Sequence, residues 1–175
     1  MITAYFLKKD PELIQRRVIP TETRPQQIIG QSLAGLLFMA LIIVPALDHK
    51  YGWSSVPIVY SIMADCSVIM GFWIVFEVFK VNTYASRAIE TMEKQKVIKT
   101  GVYAHIRHPM YLGAALIIVM TPIAMSSLYG LLISVPLIVV IVLRILDEEK
   151  MLVLELDGYE QYCKEVKYRL IPYIW

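Results

Sequence analysis

Residues 28–47 of this chain read IIGQSLAGLLFMALIIVPAL, an almost wholly apolar stretch. A helix needs about 20 such residues to cross the hydrocarbon core of a bilayer. Inside lipid the backbone must satisfy its own hydrogen bonds, which leaves a helix as the only sensible structure for such a segment. The stretch therefore predicts a transmembrane helix.

Three more apolar segments follow along the chain. The first of them covers residues 56–79 and again approaches the length of a membrane span. Residues 111–125 and 128–146 are separated only by Ser126 and Ser127. This spacing predicts a tight antiparallel helical hairpin, which need not cross the full bilayer.

Composition supports the same class of protein. The 175 residues are 57% hydrophobic and only 18% charged, and their mean hydropathy is +0.57. A soluble domain needs more polar surface than this, so we predict an all-α, polytopic membrane helix bundle forming one domain over residues 1–175. The net charge of +2 is too small to indicate a nucleic-acid partner. Cys66 and Cys163 follow no pattern and are expected to be reduced.

The basic residues predict an orientation. Nearly all of them lie before the first segment, between the second and third, or after the fourth, whereas the two opposite loops contain only Lys50. By the positive-inside rule both termini and the central loop are cytoplasmic. The first of these three groups is Lys8, Lys9, Arg16, Arg17 and Arg24; the second is Arg87, Lys94, Lys96, Lys99 and Arg107; the third is Arg144, Lys150, Lys164, Lys167 and Arg169.

The central loop ends in a helix start that suits an anion. Gly101 permits a tight turn, and Pro109 favours the first turn of a helix beginning at about His108. The free N–H groups and the dipole of that helix can hold a carboxylate. Tyr and Arg residues also anchor helix ends at membrane interfaces, and from these residues alone the two interpretations are about equally favoured.

A second polar cluster ends the fourth apolar segment. Arg144 lies four residues before Glu148, so both side chains can share one helix face, and Asp147 and Glu149 are adjacent. Ionisable groups at this depth usually face a cavity or a partner. The alternative is an Arg144 that reaches the interface and pairs with its own helix. Asp65, near the middle of the second segment, is expected to face the bundle interior.

Together these clusters resemble the isoprenylcysteine carboxyl methyltransferase family, to which phospholipid N-methyltransferases are more distantly related. The resemblance covers residues 82–175, whereas residues 28–81 match only as two membrane helices after a cytoplasmic segment, residues 1–27. The residues that carry it are Gly101-Val102-Tyr103, Arg107-His108-Pro109-Met110-Tyr111, Arg144 with Glu148-Glu149, then Tyr159, Tyr162 and Arg169-Leu170-Ile171-Pro172.

The resemblance implies methyl transfer from S-adenosylmethionine to a lipophilic small molecule or lipidated substrate at the membrane face. It assigns acceptor binding to Arg144 and a cofactor contact to Glu148. Many members of the family have a Gly three residues before the first Tyr of the tail, whereas here Gly158 directly precedes Tyr159. The spacing between the carboxylate and this tyrosine is therefore shifted by one residue, so Glu149 can take the role of Glu148. The remaining implied cofactor-binding residues are Gln95, Lys96, Val97, Ile98, Tyr103, His108, Pro109, Met110 and Tyr111; no metal ligand is implied.

The acceptor stays open. A carboxylate acceptor needs no base, and Arg144 would orient it, whereas an amine must lose a proton, for which Glu148 or Glu149 is the nearest base. Membrane sterol and ene reductases are a second class with similar architecture. They bind a nicotinamide dinucleotide, and we see no added basic cluster for its phosphates. A non-enzymatic scaffold would not explain why the polar residues converge on one face.

Overall fold

The computed structural model describes residues 25–82, 84 and 95–175, together with the isolated positions 5, 8, 9 and 11. Of the segment expected to be cytoplasmic, residues 1–27, only those isolated positions and residues 25–27 are described. The basic residues Arg87 and Lys94 of the central loop lie outside the described ranges. Within them all regular structure is helical: α1 (Pro25–Tyr51), α2 (Ile58–Val81), a 3₁₀ turn (Gly101–Ala104), α3 (Pro109–Ala124), α4 (Tyr129–Glu155) and α5 (Tyr159–Glu165).

Each of the four predicted apolar segments corresponds to one α-helix. Three stretches of α-helix, Gln27–Tyr51, Ile58–Val81 and Tyr129–Glu155, are long and apolar enough to cross a membrane, and α3 is a shorter apolar helix. The predicted all-α, polytopic membrane bundle is confirmed. The helix after the central loop also begins as expected, with His108 as its N-cap and Pro109 at its first position.

Two glycines bring α2 and α3 into close contact. A Cβ atom added to Gly71 would lie 2.8 Å from the carbonyl oxygen of Gly113, and one added to Gly113 would lie 2.7 Å from that of Gly71. Such distances leave no room for a side chain, so the two backbones touch directly. Small residues allow this kind of approach between membrane helices, and it fixes the position of α3 relative to the end of α2.

The α3–α4 hairpin turns where the sequence predicts, at Ser126 and Ser127. Ser126 adopts a left-handed conformation with φ of 59°, and the Ser127 hydroxyl donates to the fully buried carboxylate of Asp48 at the end of α1. Ser54, in the loop after α1, donates to the same carboxylate from both its backbone N–H and its hydroxyl. Asp48 therefore ties the turn, the loop and α1 together.

The expectation that Asp65 faces the bundle interior is wrong. Its side chain is exposed on α2. The inward face of this helix is formed instead by Ser61, Ala64, Gly71 and Val78, which pack closely because most of them are small. Asp65 lies one residue past Ala64, about 100° around the helix axis, and so points away from that face.

Helix α4 continues beyond its predicted apolar segment. That segment ends at residue 146, but the helix runs to Glu155. The extra turns carry Glu148 and Glu149, followed by Met151 and Leu152, which are buried. The last part of α4 therefore projects past the apolar core and supplies one wall of the candidate site.

Candidate functional site

A cavity opens at the end of the bundle where α2 ends, α3 begins and α4 projects beyond the core. It contains about 850 Å³ of space, including its open mouth. Its walls come from the end of α2, the segment 95–98, the 3₁₀ turn, the start of α3, the end of α4, and α5. Polar and apolar side chains both line it.

Most residues singled out from the sequence meet at this cavity. Pro109 and Glu149 are not among its lining residues: Pro109 forms the first position of α3, and Glu149 is buried behind the cavity wall. The structure thus brings the two predicted clusters into one place. The predicted residues that line the cavity are Gln95, Lys96, Val97, Ile98, Tyr103, His108, Met110, Tyr111, Arg144 and Glu148.

Several lining residues were not among the predicted site residues. Met151 and Leu152 lie three and four residues after Glu148, so continuing the helical period past the apolar segment would have placed them on the same face. Asn82 carried no comparable signal, because its position depends on where α2 ends against the 3₁₀ turn. Arg107, Tyr159 and Tyr162 carry the family resemblance but had no predicted role in the site. The lining residues that the sequence did not single out at all are Asn82, Tyr84, Met151, Leu152 and Leu156.

The hydroxyl of Tyr111 joins Arg144 to Glu148. Arg144 donates from Nε to this hydroxyl at 2.8 Å, and the hydroxyl donates to Oε2 of Glu148 at 2.6 Å. The shared helix face that the four-residue spacing predicts is present, but a side chain from α3 lies between the two charges. This arrangement orients the guanidinium and the carboxylate together at the cavity wall.

Helix α1 also reaches Arg144, through Gln27. The Oε1 atom of Gln27 accepts from Nη1 of Arg144 at 3.3 Å, and its Nε2 atom donates to Oδ2 of Asp147 at 2.6 Å. The amide therefore bridges two side chains that lie three residues apart on α4. The sequence gives no local sign of this contact, because Gln27 is 117 positions away from Arg144.

Glu149 is the centre of a buried charged network. Its Oε2 accepts from Nε of Arg169 at 2.7 Å, and its Oε1 lies 3.2 Å from Nε2 of His108. The Nε atom of Arg107 is 2.9 Å from Oε1, although the geometry is not that of a hydrogen bond. A carboxylate held in this way by cationic and imidazole groups is stabilised as an anion, so Glu149 acts as an anchor behind the wall.

The C-terminal tail is bound to the start of α3 by its backbone. The N–H of Arg107 donates to the carbonyl of Tyr168 at 3.0 Å, and that of His108 donates to the carbonyl of Arg169 at 2.9 Å. The buried side chain of Leu170 then packs in the same apolar cluster as Tyr111. The tail therefore fixes the turn from which the His108–Pro109 helix start emerges.

Tyr103 is held between α2 and α5. Its hydroxyl accepts from Nδ2 of Asn82 at 2.7 Å, and its backbone carbonyl accepts from the hydroxyl of Tyr162 at 2.7 Å. The preceding Gly101 has φ of +62°, which confirms the tight turn that this glycine predicts. Burial raises the pKa of Tyr162, so its hydroxyl remains a donor.

Tyr159 offers the cavity a hydroxyl donor. Its hydroxyl is buried and makes no hydrogen bond within the described ranges, although the residue lines the cavity. Burial, and to a lesser extent the nearby carboxylate of Glu149, raise the pKa of Tyr159. A buried hydroxyl without a partner is costly, and an acceptor atom on a bound ligand would satisfy it.

The start of α3 faces the same space. Met110 and Tyr111 lie at the first turn of the helix and line the cavity, and the first N–H groups of a helix have no partner within it. Together with the helix dipole they suit a carboxylate or phosphate. The site thus combines donors for an anion, the carboxylate of Glu148 for a cation, and an apolar wall formed by Met151 and Leu152.

Comparison with known proteins identifies a family. A family model described as phospholipid methyltransferase matches residues 59–156, which begin near the start of α2 and end just after α4. The matched region contains the start of α3 and both polar clusters. Helix α1, α5 and the C-terminal tail lie outside it. No curated protein matches the chain.

Proposed function

The chain belongs to the phospholipid methyltransferase family, whose model covers more than half of it, and from this premise we propose methyl transfer from S-adenosylmethionine to a lipophilic acceptor in the membrane. Membership of the family makes the chain a membrane methyltransferase. The isoprenylcysteine carboxyl type stays a prediction, and a phospholipid amine is at least as compatible with the family.

The lining of the cavity is the observation that carries the cofactor proposal. S-adenosylmethionine has a carboxylate, an ammonium, a sulfonium and an adenosine group. The N–H groups at the start of α3 suit its carboxylate, and Glu148 suits its positive charges. The Tyr159 hydroxyl, buried without a partner, would donate to one of its oxygen or nitrogen atoms.

The chemistry needs little from the protein beyond alignment. When bound, S-adenosylmethionine supplies a methyl group that its sulfonium already activates. The residues around the cavity would hold the acceptor in line with that methyl group and keep water away. The apolar side chains of Met151, Leu152 and Leu156 line this space and provide such a dry wall.

An amine acceptor is the first candidate. Its nitrogen must be unprotonated to accept a methyl group, so a base in the cavity has to take the proton. Glu148 is the carboxylate that lines the cavity, whereas Glu149 is held by Arg169 and His108 behind it. We therefore assign the role of base, for an amine acceptor, to Glu148.

A carboxylate acceptor is the second candidate, and Arg144 favours it. The guanidinium lines the cavity and is oriented by Tyr111 and Gln27. Arginine suits carboxylates because its donors match their geometry. An acceptor that is already an anion needs no base, so in this case Glu148 would serve the cofactor alone.

A transfer assay separates the two candidates. The purified protein, reconstituted in vesicles, is incubated with S-adenosylmethionine labelled in the methyl group and with either phosphatidylethanolamine or a prenylated cysteine that has a free carboxylate. Label in an alkali-stable amine supports the first candidate, and label released by mild base as methanol supports the second. NADPH oxidation without any methyl transfer would contradict the proposal. Lys150→Ala, at an exposed position of α4, should transfer the methyl group as the wild type does and serves as the control for variants of Glu148.

A further inference from the structure

The inward face of α1 carries two glutamines near the cavity. Gln27 and Gln31 lie one helical turn apart, so their side chains share a face, and Gln27 contacts α4 through Arg144 and Asp147. Gln31 lies about 6 Å further along the helix axis, towards the middle of the membrane. Helix α1 is outside the region that the family model matches.

Gln31 has a buried donor, the Nε2 atom of its side chain. Its Nε2 atom is shielded from solvent and makes no hydrogen bond in the part of the chain that the structure describes. An amide N–H in such surroundings loses its hydration and gains nothing in return. Lipid tails cannot replace the missing partner, whereas an acceptor atom on a bound ligand would.

Gly30 leaves a gap beside these glutamines. It lies between them on the partly buried side of α1, yet a Cβ atom added to it would meet nothing within 4 Å among the described residues. At Gly71 and Gly113, by contrast, the neighbouring helix occupies the space beside the glycine. The inward side of α1 therefore has open space beside Gly30, which we call the cleft.

From these observations we infer that the cleft is a binding subsite for the oxygen-bearing anionic group of the lipophilic acceptor. Arg144 supplies the charge, Gln31 supplies a neutral donor one turn deeper, and Gly30 leaves the space. The inference rests on the proposed function, which requires an acceptor from the bilayer. It adds a site on α1 to the cavity described above.

The donors decide the chemical class of the ligand. The Arg144 guanidinium and the Gln31 Nε2 atom can only donate, so both select oxygen acceptors such as a phosphate or a carboxylate. The carboxylates of Asp147 and Glu148 are the opposing charges nearby. Asp147 accepts from Gln27 and Glu148 accepts from Tyr111, so each has a donor of its own.

Binding of simple amphiphiles tests the subsite without turnover. The protein in the uncharged detergent dodecyl maltoside is titrated with dodecyl phosphate, dodecanoate or dodecylammonium, and the shift of the unfolding temperature is recorded. S-adenosylhomocysteine is titrated in parallel. The variants are Gln31→Leu, Gln31→Glu and Gly30→Leu. The matched control is Gly35→Leu, because Gly35 is an exposed glycine of the same helix that also has nothing within 4 Å of an added Cβ.

We expect one or both anions to raise the unfolding temperature of the wild type, whereas any response to dodecylammonium should be the same in the wild type and in Gln31→Leu. Gln31→Leu and Gly30→Leu should each weaken anion binding by about tenfold or more, because the first removes the Nε2 donor and the second fills the open space. Gln31→Glu should bind anions least, and Gly35→Leu should match the wild type. A response to dodecyl phosphate alone identifies a phospholipid headgroup, and one to dodecanoate alone identifies a carboxylate lipid.

Wild-type anion affinity in both Gln31 variants, or no response of the wild type to either anion, would overturn the inference. The titration with S-adenosylhomocysteine distinguishes failure of this inference from failure of the proposed function. Loss of anion binding with unchanged S-adenosylhomocysteine binding supports the subsite. A wild type that binds the anions but not S-adenosylhomocysteine would contradict the cofactor proposal and leave the subsite intact.

Discussion

Arg144 is the residue whose surroundings say most about the site. A lone arginine at the end of a membrane helix commonly reaches the interface and pairs there, but this one donates to Tyr111 on α3 and to Gln27 on α1. Three helices therefore fix its guanidinium at the cavity. In the proposed function this contact set would orient the charge towards the acceptor.

Replacing Arg144 should separate turnover from cofactor binding. Arg144→Ala removes the charge that holds the acceptor, so we expect methyl transfer to be lost while S-adenosylhomocysteine affinity changes less than about threefold. Arg144→Lys should restore little, because an ammonium cannot reproduce the planar grip of a guanidinium. Transfer assays and calorimetry on the same preparations measure both quantities. Equal loss of cofactor binding and stability would instead indicate a purely structural pairing with Glu148.

Glu149 should matter for stability more than for chemistry. Glu149→Ala leaves Arg107 and His108 buried without their carboxylate, and breaking a buried charge pair costs roughly 3–5 kcal/mol. Arg169→Ala should cost less, because the Arg169 side chain is 33% exposed, compared with 8% for Arg107. Denaturant unfolding in detergent measures both. A Glu149→Ala variant with wild-type stability but no activity would show that Glu149 acts in the reaction.

At the residue scale the sequence predicts which side chains meet at the cavity better than how they are joined. The Arg144–Glu148 spacing and the His108–Pro109 start are local patterns, and the structure brings them to one cavity. The Tyr111 bridge depends on how α3 and α4 pack, which local patterns do not contain. Asp65 was wrongly expected inside because its polarity was considered without the small residues that set the packed face of α2.

At the scale of elements, one glycine contact sets the position of the cavity. The contact of Gly71 with Gly113 holds α3 against α2, and α3 carries His108, Met110 and Tyr111 at its start. The apolar segments predicted where these helices lie, because length and hydropathy are local properties. They did not predict that α4 extends to Glu155, because its last turns are charged and owe their burial to α5 and the central loop.

A side chain at this contact should destabilise the bundle. Gly113→Val places atoms where Gly71 already has its carbonyl oxygen, 2.7 Å from the new Cβ, and overpacking of this kind typically costs about 1–3 kcal/mol. Gly35→Val is the control, since the same β-branched residue would enter a helix without a steric conflict. Unfolding in detergent compares the two variants. An equal effect at both positions would mean that helix propensity, rather than the α2–α3 contact, is responsible.

At the scale of the whole molecule, the proposal requires the cavity to face the cytoplasm. The basic residues predict this orientation, and the cavity lies at the end of the bundle that carries Lys96 and Lys99. The opposite end carries Lys50 and the turn at Ser126 and Ser127. A donor of methyl groups made in the cytoplasm would then reach the cavity without crossing the membrane.

Labelling from outside intact cells tests this orientation. In a Cys66→Ser/Cys163→Ser background, Lys50→Cys should react with a membrane-impermeant maleimide, whereas Thr100→Cys should react only after the cells are opened. Both positions are exposed, so burial does not account for a difference between them. Reaction of Thr100→Cys from outside would reverse the predicted topology.

The central claim is that the cavity binds S-adenosylmethionine, and calorimetry with its demethylated product in detergent tests this most directly. We predict saturable binding of S-adenosylhomocysteine. Losing one charge-assisted contact costs about 1.5–3 kcal/mol, so Glu148→Ala should bind about ten- to a hundredfold more weakly, and the exposed Lys150→Ala should bind as the wild type does. Tight binding of NADPH, with no heat from S-adenosylhomocysteine in a protein that remains folded, would contradict the claim.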